Sequence, residues 1–148
     1  MNNKNTYLKR GFSLIELLVV ISIIGILTGL AIFGISGARA SARDAQRKSD
    51  LEVIRSGIEL FKADCGDYPL TINWPSAGSP LQGNGSPGCA VTNTYITSVP
   101  KDPIGTEYVY VSDGVTYEAC ALLENETVSA GCSASCGGSA CTYRVEQP

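Results

Sequence analysis

The stretch KRGFSLIELLVVISIIGILTGLAIFGISGA, residues 9–38, decides the fold of this chain. Within it, residues 17–38 form a run of 22 uncharged and mostly apolar residues. As an α-helix this run would extend roughly 33 Å, about the thickness of the hydrocarbon core of a bilayer. It is too long for the apolar region of a cleavable signal peptide, and no small-residue cleavage site follows it. We therefore expect a membrane-spanning helix that stays attached to the rest of the chain.

The charges on either side of the apolar run predict its orientation. Lys4, Lys9 and Arg10 precede the run, and no acidic residue does. Positive charge favours the cytoplasmic side of a membrane, although Arg39 and Arg43 follow the run and weaken this bias. We expect a cytoplasmic N-terminus and an extracytoplasmic body.

The rest of the chain has the composition of one small exported domain. A total of 148 residues leaves room for one core besides the apolar run. The body is acidic, which argues against binding to nucleic acid. The sequence contains no histidine, the usual general base and the commonest metal ligand. Because no other catalytic constellation is legible, we predict neither an enzyme nor a bound cofactor.

Six cysteines predict disulfides and therefore an oxidising compartment. They are Cys65, Cys89, Cys120, Cys132, Cys136 and Cys141. A bond between Cys65 and Cys89 would close a loop of about 25 residues, but the sequence leaves the pairing open. The last three cysteines also offer thiolates to zinc, yet only three cluster and no histidine completes a site. We favour disulfides that staple the tail, and we predict no metal site.

Glu16 requires a partner that the apolar segment does not supply. A carboxylate inside an apolar helix costs on the order of 2.5–3.5 kcal/mol or more at depth. No cation lies between residues 12 and 38. Either the side chain reaches the headgroups from a position near the interface, or the partner comes from another molecule. The free α-amino group of a neighbouring copy would serve, if cleavage created one at a similar depth.

The residues around Glu16 resemble a known processing signal. The run Lys9-Arg10-Gly11-Phe12-Ser13-Leu14-Ile15-Glu16 is similar to the class III signal of type IV prepilins and type II secretion pseudopilins. This resemblance implies that prepilin peptidase cleaves between Gly11 and Phe12 and that the amino group of Phe12 is methylated. It also implies that Glu16 contacts the N-terminal amine of an adjacent subunit, which would supply the missing partner.

Glycines in the same segment predict close helix packing. Gly25 and Gly29 have the small-xxx-small spacing that lets helices approach one another, although a lipid-embedded helix also tolerates glycine without such a role. Many members of the resembled family have proline where this chain has Phe33. Local melting of the helix inside a fibre is therefore not implied here.

The sequence after the apolar run predicts that the helix continues to about Ala63. Residues 38–50 are good helix formers, and we expect their charged side chains to be solvated. Apolar residues then recur at steps of three, four and three, which marks one buried helix face: Leu51, Ile54, Ile58 and Phe61. Gly66 and Pro69 predict the end of the helix. The proline- and glycine-rich residues 69–106 predict a long structured loop, in which turns are favoured over regular elements.

Three strands are predicted in the last third of the chain. Residues 108–112 and 116–123 read as a hairpin through Asp113-Gly114, and residues 142–145 as a third strand. Three tyrosines are expected to pack on the sheet, with an exposed adhesive patch as the alternative: Tyr108, Tyr110 and Tyr117. The expected class is α+β, with a long N-terminal α-helix, transmembrane in its first half, packed on a small antiparallel sheet. A disulfide-rich C-terminal tail completes it.

Two segments of the body also resemble type II secretion major pseudopilins. One is Gly66-Asp67-Tyr68-Pro69, and the other is residues 99–110, VPKDPIGTEYVY, where Ile104 replaces a tryptophan. The resemblance divides the chain into a cleaved leader, 1–11, a transmembrane and filament-core helix, 12–38, and an extracytoplasmic globular domain, 39–148, with an amphipathic helix over 39–63. Some major pseudopilins bind calcium through an acidic C-terminal loop, whose pattern is not found here.

The resemblance as a whole implies a structural subunit of a type IV pilus or a type II secretion pseudopilus. Such a subunit is a single-pass inner-membrane precursor that prepilin peptidase processes. A platform protein and an assembly ATPase then build it into a helical homopolymer, an extracytoplasmic or cell-surface filament. The two body segments favour the pseudopilus. The alternative is a membrane-anchored extracytoplasmic binding or adhesion module that does not polymerise.

Overall fold

The computed structural model describes residues 11–70 and 78–147, without the side chains of residues 33 and 34. Residues 1–10 of the expected leader lie outside the described residues, as do residues 71–77 of the long loop. The chain divides into two compact units between Ala38 and Arg39.

One long helix, α1, spans Leu14–Cys65. It ends where the sequence predicts a stop, two residues later than expected. Gly66 takes a positive φ of 90°, and its N–H donates to the carbonyl of Lys62 at 2.8 Å. Glycine adopts this left-handed conformation without steric penalty, so it caps the helix and redirects the chain.

Among the described residues after the helix, seven short strands form three small antiparallel sheets. In chain order they are β1 Leu81–Gln82, β2 Thr94–Ile96, β3 Val109–Ser112, β4 Tyr117–Ala121, β5 Ser135–Cys136, β6 Ser139–Ala140 and β7 Tyr143–Glu146. The largest sheet has the order β3-β4-β7, while β1 pairs with β2 and β5 with β6.

The three-stranded sheet confirms the predicted hairpin and third strand. In its register Tyr110 lies opposite Ala119, and Ala119 lies opposite Val145. Both hairpin strands are shorter than predicted, since β3 begins one residue later and β4 loses residue 116 at the turn and residues 122 and 123 at its end. Asp113 shapes this turn, since its Oδ1 accepts the N–H groups of Val115 at 2.9 Å and Thr116 at 2.6 Å.

The buried face of α1 packs on one face of this sheet, as predicted. The helix contributes Leu51, Ile54 and Ile58, all fully buried, and Phe61. The sheet contributes small side chains in the same cluster, Ala119 and Ala121, together with Val145. Small residues on β4 let the helix approach the sheet closely.

The long loop is more regular than the sequence indicates. The prediction that turns are favoured over regular elements in residues 69–106 is wrong for β1 and β2, which pair through Leu81 and Ile96. Both of these side chains are buried in the main core. Burial against the helix therefore stabilises a short ladder that the local propensities do not favour.

The C-terminal tail forms a further layer on the opposite face of the sheet. Successive residues of a strand point to opposite faces, so Cys120 points away from the neighbours Ala119 and Ala121. Cys120 joins a second buried cluster with Cys136 and Cys141. The expectation of disulfides is confirmed, because the six cysteines form the pairs Cys65–Cys89, Cys120–Cys132 and Cys136–Cys141.

One expectation about α1 is wrong. Residues 38–50 were expected to be charged and solvated, but Asp44 is 7% exposed and Arg47 is 1% exposed. These two side chains face the globular unit and pair with acids and loops from later in the chain.

Candidate processing and assembly site

The Gly11–Phe12 junction lies in irregular backbone just before α1. Gly11, Phe12 and Ser13 precede the first helical residue, Leu14, and all three are exposed. A Cβ atom at Gly11 would meet nothing within 4 Å. Within the described residues, the junction therefore has the open backbone that a peptidase needs in order to bind it.

Glu16 has a partner inside its own chain. Its Oε2 accepts a hydrogen bond from the backbone N–H of Ser13 at 2.9 Å. Ser13 precedes the helix and Glu16 is its third residue, so the pair forms the reciprocal arm of a capping box. This role is legible in the spacing Ser-x-x-Glu, although we did not predict it. The bond satisfies one N–H at the helix start but leaves the negative charge without a cation among the described residues.

The first half of α1 presents apolar side chains around its whole circumference. In the segment from Phe12 to Ile35, each large apolar side chain that is exposed has an exposed fraction of 47% or more. The helix is long and apolar enough to cross a membrane, and none of its most apolar window of 18 residues is buried. A surface of this size is stable only in lipid or against other apolar helices.

Gly25 and Gly29 leave open space on this apolar surface. A Cβ atom added at either position would meet nothing within 4 Å. Residues four apart lie on the same helix face. The two glycines thus leave a depression on one face of the helix, where another helix can approach closely.

A group of charged residues in the globular unit, here called the arginine cluster, consists of Arg43, Asp44, Arg47, Asp102 and Glu124. The guanidinium of Arg47 lies at its centre. Its Nε is 2.5 Å from Asp102 Oδ2, and its Nη1 is 2.8 Å from Asp44 Oδ1 and 2.9 Å from Glu124 Oε1. Arg43 binds Glu124 with two further hydrogen bonds of 2.5 and 2.6 Å.

The arginine cluster ties two loops to α1. Asp44 accepts the backbone N–H groups of Glu124 and Asn125 at 2.8 and 3.0 Å. Asp102 accepts the N–H groups of Ile104 and Thr106 in its own loop. Each carboxylate therefore fixes a loop and pairs with Arg47 at the same time.

The pKa values follow from these contacts. Burial favours the neutral form of Arg47, but its hydrogen bonds to Asp102 and Glu124 outweigh burial and raise the pKa of its guanidinium. Burial likewise opposes ionisation of Asp44, but the backbone N–H groups of Glu124 and Asn125 lower its pKa. The hydrogen bond from Arg43 lowers the pKa of Glu124 to about 2. All three groups stay charged at neutral pH, which suits a structural role.

The three tyrosines of the hairpin pack on the sheet and bind acceptors, as expected of core residues. Tyr108 and Tyr117 are buried, and Tyr110 is half-buried. The hydroxyl of Tyr108 donates to Asp50 at 2.7 Å, and that of Tyr117 donates to Glu59 at 3.1 Å. The hydroxyl of Tyr110 donates to the carbonyl of Pro69 at 2.7 Å. Their rings do not form an exposed adhesive patch.

Two profiles of known families match the chain. The profile described as "Prokaryotic N-terminal methylation motif" matches residues 8–32. The profile described as "Type II secretion system (T2SS), protein G" matches residues 35–142. The first covers Gly11, Phe12, Glu16, Gly25 and Gly29, and the second covers the arginine cluster and all six cysteines.

Curated relatives give the same result. The chain is 32% identical to type II secretion system core protein G of Escherichia coli over 113 residues, covering 72% of this chain and 74% of the relative. It is 34% identical to the protein of the same name from Klebsiella michiganensis over 113 residues, covering 72% and 75%. For that of Vibrio cholerae the identity is 31% over 104 residues, covering 70% and 71%. No solved structure is significantly similar to the chain.

Proposed function

Because the chain belongs to the type II secretion system protein G family, we propose that it is a structural subunit of the type II secretion pseudopilus. The exposed apolar surface of α1 carries this proposal. Such a surface has two stable environments, the bilayer before assembly and the apolar helices of other subunits after it. A filament built from many copies of the helix supplies the second environment.

Processing precedes assembly in this proposal. Prepilin peptidase cleaves between Gly11 and Phe12, and the new amino group of Phe12 is methylated. Support comes from the methylation motif over residues 8–32 and from the open backbone at the junction. Methylation leaves the amine able to carry a positive charge, so each processed subunit begins with a cation and carries a carboxylate four residues later.

Glu16 sets the register of neighbouring subunits. In the apolar interior of a filament its carboxylate and the amine of an adjacent Phe12 attract strongly, because little water screens them. A charge left without a partner there is costly. Subunits therefore stop at the offset that brings the two charges together, while Gly25 and Gly29 allow close helix contact.

The proposed membrane stage and the proposed assembly partners also rest on membership of the protein G family. The candidate membrane span near the N-terminus anchors the precursor as a single-pass protein. The basic residues before it support a cytoplasmic N-terminus and a globular unit outside the inner membrane. A platform protein and an assembly ATPase then move the processed subunit from the bilayer into a homopolymer. The relatives favour a secretion pseudopilus over a surface pilus.

The experiment that tests this function is mass analysis of the N-terminal peptide. The protein is isolated from membranes of cells that contain or lack prepilin peptidase. We expect a peptide that begins at N-methylated Phe12 only when the peptidase is present. A Gly11→Leu variant is the matched control and should keep Met1 in both strains. An unprocessed terminus of the unaltered chain in both strains, or cleavage at another bond, would refute the proposed processing.

A further inference from the structure

Arg39 and Asp67 carry charges that no other described residue neutralises. Arg39 is the first residue of the globular unit, and Asp67 follows the end of α1 by two residues. Both side chains are exposed, and neither takes part in a hydrogen bond, an ion pair or a ring contact among the described residues. The other arginines of the unit all pair with carboxylates, namely Arg43, Arg47, Arg55 and Arg144. Both charges are therefore open to a second molecule.

The surroundings of Asp67 suit an incoming cation. Asp67 lines an open cleft together with Leu70 and Val115, whose apolar side chains are 67% and 68% exposed. Apolar neighbours lower the local dielectric constant and strengthen the attraction between two charges that meet there. Lys62 precedes Asp67 by five residues, but its Nζ lies over the ring of Tyr68, 4.0 Å from the ring centre. A cation from outside the chain can thus reach Asp67.

Arg39 needs a new partner when a subunit leaves the bilayer. It is the first charged residue after the apolar run. In the proposed precursor it therefore lies at the level of the lipid headgroups, whose phosphates pair well with a guanidinium. A subunit that enters the filament loses these phosphates. An acidic side chain of a neighbouring copy is the group that the filament itself can offer in their place.

On the premise of the proposed function, we infer that Arg39 of one copy pairs with Asp67 of a second copy in the filament. Arg39 and Cys65, the last residue of α1, are 26 positions apart. The helix therefore holds the two charges about 39 Å apart in one molecule, where they cannot pair. In the proposed precursor all copies cross the membrane in the same direction, so they lie parallel after assembly. A copy displaced by about 39 Å along the fibre axis then brings its Arg39 to the level of Asp67 below it.

The pairing is head-to-tail, because it joins different surfaces of the two copies. A contact of this kind does not close on itself when each copy is displaced along one axis, and it generates an open filament. It involves a more distant neighbour than the pair of Glu16 and Phe12, whose charged groups lie four residues apart and require a small offset. Two contacts at different offsets restrict the helical path of the filament more than either does alone.

Glu107 is another exposed acid without a partner among the described residues, and its position makes it a control. It lies in the loop of Asp102, whose carboxylate binds Arg47. This loop is therefore tied to α1 at a point 20 residues before Asp67. The offset that brings Arg39 to Asp67 does not bring it to Glu107.

Exchange of the two charges tests the pairing in the full chain, produced in cells that contain the secretion machinery. We expect Arg39→Glu and Asp67→Arg each to lower the yield of sheared filament at least about tenfold, because two like charges then face each other. The double variant Arg39→Glu/Asp67→Arg should recover most of the yield, since it restores an opposite pair. Glu107→Arg should assemble as the unaltered chain does, and Arg39→Glu/Glu107→Arg should stay as defective as Arg39→Glu.

Mass analysis of the N-terminal peptide separates the pairing from the function on which it rests. All variants should begin at N-methylated Phe12, so that a lost filament reflects assembly and not processing. If the unaltered chain forms filaments, then normal assembly of either single variant, or a double variant that does not recover, overturns the pairing and leaves the pseudopilus function intact. Failure to recover would leave lipid phosphates as the partner of Arg39. Absence of filaments from the unaltered chain would overturn both.

Discussion

At the scale of the residue, the positive charge of Arg47 is the one on which the stability of the globular unit depends most. Its side chain is 1% exposed and contacts the carboxylates of Asp44, Asp102 and Glu124. We expect Arg47→Gln to lower the free energy of unfolding of the 39–148 domain by about 3–5 kcal/mol, because it leaves buried acids without a cation. Chemical denaturation followed by circular dichroism measures this change.

Arg55→Gln is the matched control for this prediction. Arg55 lies on the same helix and pairs with Glu52 at 3.8 Å near the surface. Exposed pairs of this kind contribute about 0–1 kcal/mol. If the two variants lose the same stability, the arginine cluster is not a structural centre of the domain.

A second residue-scale prediction separates the two roles of Glu16. Glu16→Gln keeps an oxygen that can accept the Ser13 N–H but removes the charge, whereas Glu16→Ala removes both. If the charge sets the register, both variants should be processed normally and yet form little or no sedimentable filament. Filaments sheared from cells that overproduce each variant measure this.

Ser22→Ala controls for a polar change in the same apolar helix, because the Ser22 hydroxyl donates to the carbonyl of Val19 in its own turn. It should assemble as the unaltered chain does. Assembly of Glu16→Gln with failure of Glu16→Ala would assign Glu16 to helix capping and remove the register role.

Sequence reasoning reached the residues near the N-terminus more easily than those of the arginine cluster. Glu16 stands out because a charge in an apolar run is improbable without a function. The Ser13–Glu16 cap is also a local pattern, although we did not predict it. Arg47 sits in a polar helical stretch that reads as solvated. The acids that accept its hydrogen bonds, Asp102 and Glu124, lie 55 and 77 residues further along the chain. No local sequence pattern indicates that Arg47 contacts these two acids in the fold.

At the scale of the element, Gly57 fixes how closely α1 approaches the β1–β2 pair. A Cβ atom there would lie 2.1 Å from Cγ1 of the buried Ile96 and 3.3 Å from the carbonyl of Tyr95. Alanine is the better helix former by about 1 kcal/mol. We nevertheless expect Gly57→Ala to destabilise the domain by about 1–3 kcal/mol, because the helix and the strand must move apart.

Thermal unfolding of the 39–148 domain measures this prediction, with Ser56→Ala as the control. Ser56 is the exposed neighbour of Gly57 on the same helix. Its replacement should leave the domain as stable as before or slightly more stable. A Gly57→Ala domain that gains stability would show that helix propensity outweighs the close contact.

The elements that sequence reasoning predicted are those with local signals. The helix has an unbroken apolar run, a periodic buried face and a glycine stop, and the β3–β4 hairpin has its Asp113-Gly114 turn. The β1 and β2 strands were missed because they are two and three residues long and stand among prolines and glycines. Their pairing depends on burial of Leu81 and Ile96 against α1, which is a tertiary effect.

At the scale of the whole molecule, the connections between layers were the hardest to predict. The alternation of small residues and a cysteine on β4 lets one strand serve two cores, with Ala119 facing the helix and Cys120 facing the tail. The sequence shows the six cysteines but not their partners, because pairing depends on which strands are neighbours. Cys120 lies 12 residues before Cys132 in sequence, and the fold brings it into one buried cluster with Cys136 and Cys141.

The arginine cluster also predicts how the globular unit responds to acid. Two of its carboxyl groups have lowered pKa values: the hydrogen bond from Arg43 lowers the pKa of Glu124 to about 2, and the backbone N–H groups of Glu124 and Asn125 lower the pKa of Asp44 despite its burial. An acid with a lowered pKa in the folded state stabilises the fold above its unfolded pKa of about 4 and loses that contribution as the pH falls through the folded value. We therefore expect the free energy of unfolding of the 39–148 domain to fall steadily from about pH 4.5 to about pH 2.

Asp50 acts in the opposite direction, because burial raises its pKa and the folded state takes up its proton more readily. The expected decline in the free energy of unfolding is the net effect of these groups, so variants are needed to assign it. Asp44→Asn should be less stable at neutral pH and should show a shallower loss between pH 4.5 and pH 2, since its carboxylate no longer titrates. Glu52→Gln, which removes an exposed acid of the same helix, should keep the slope of the parent domain. Urea denaturation at several pH values measures all three slopes, and an equally steep decline in Asp44→Asn would mean that acid destabilises the domain through groups other than Asp44.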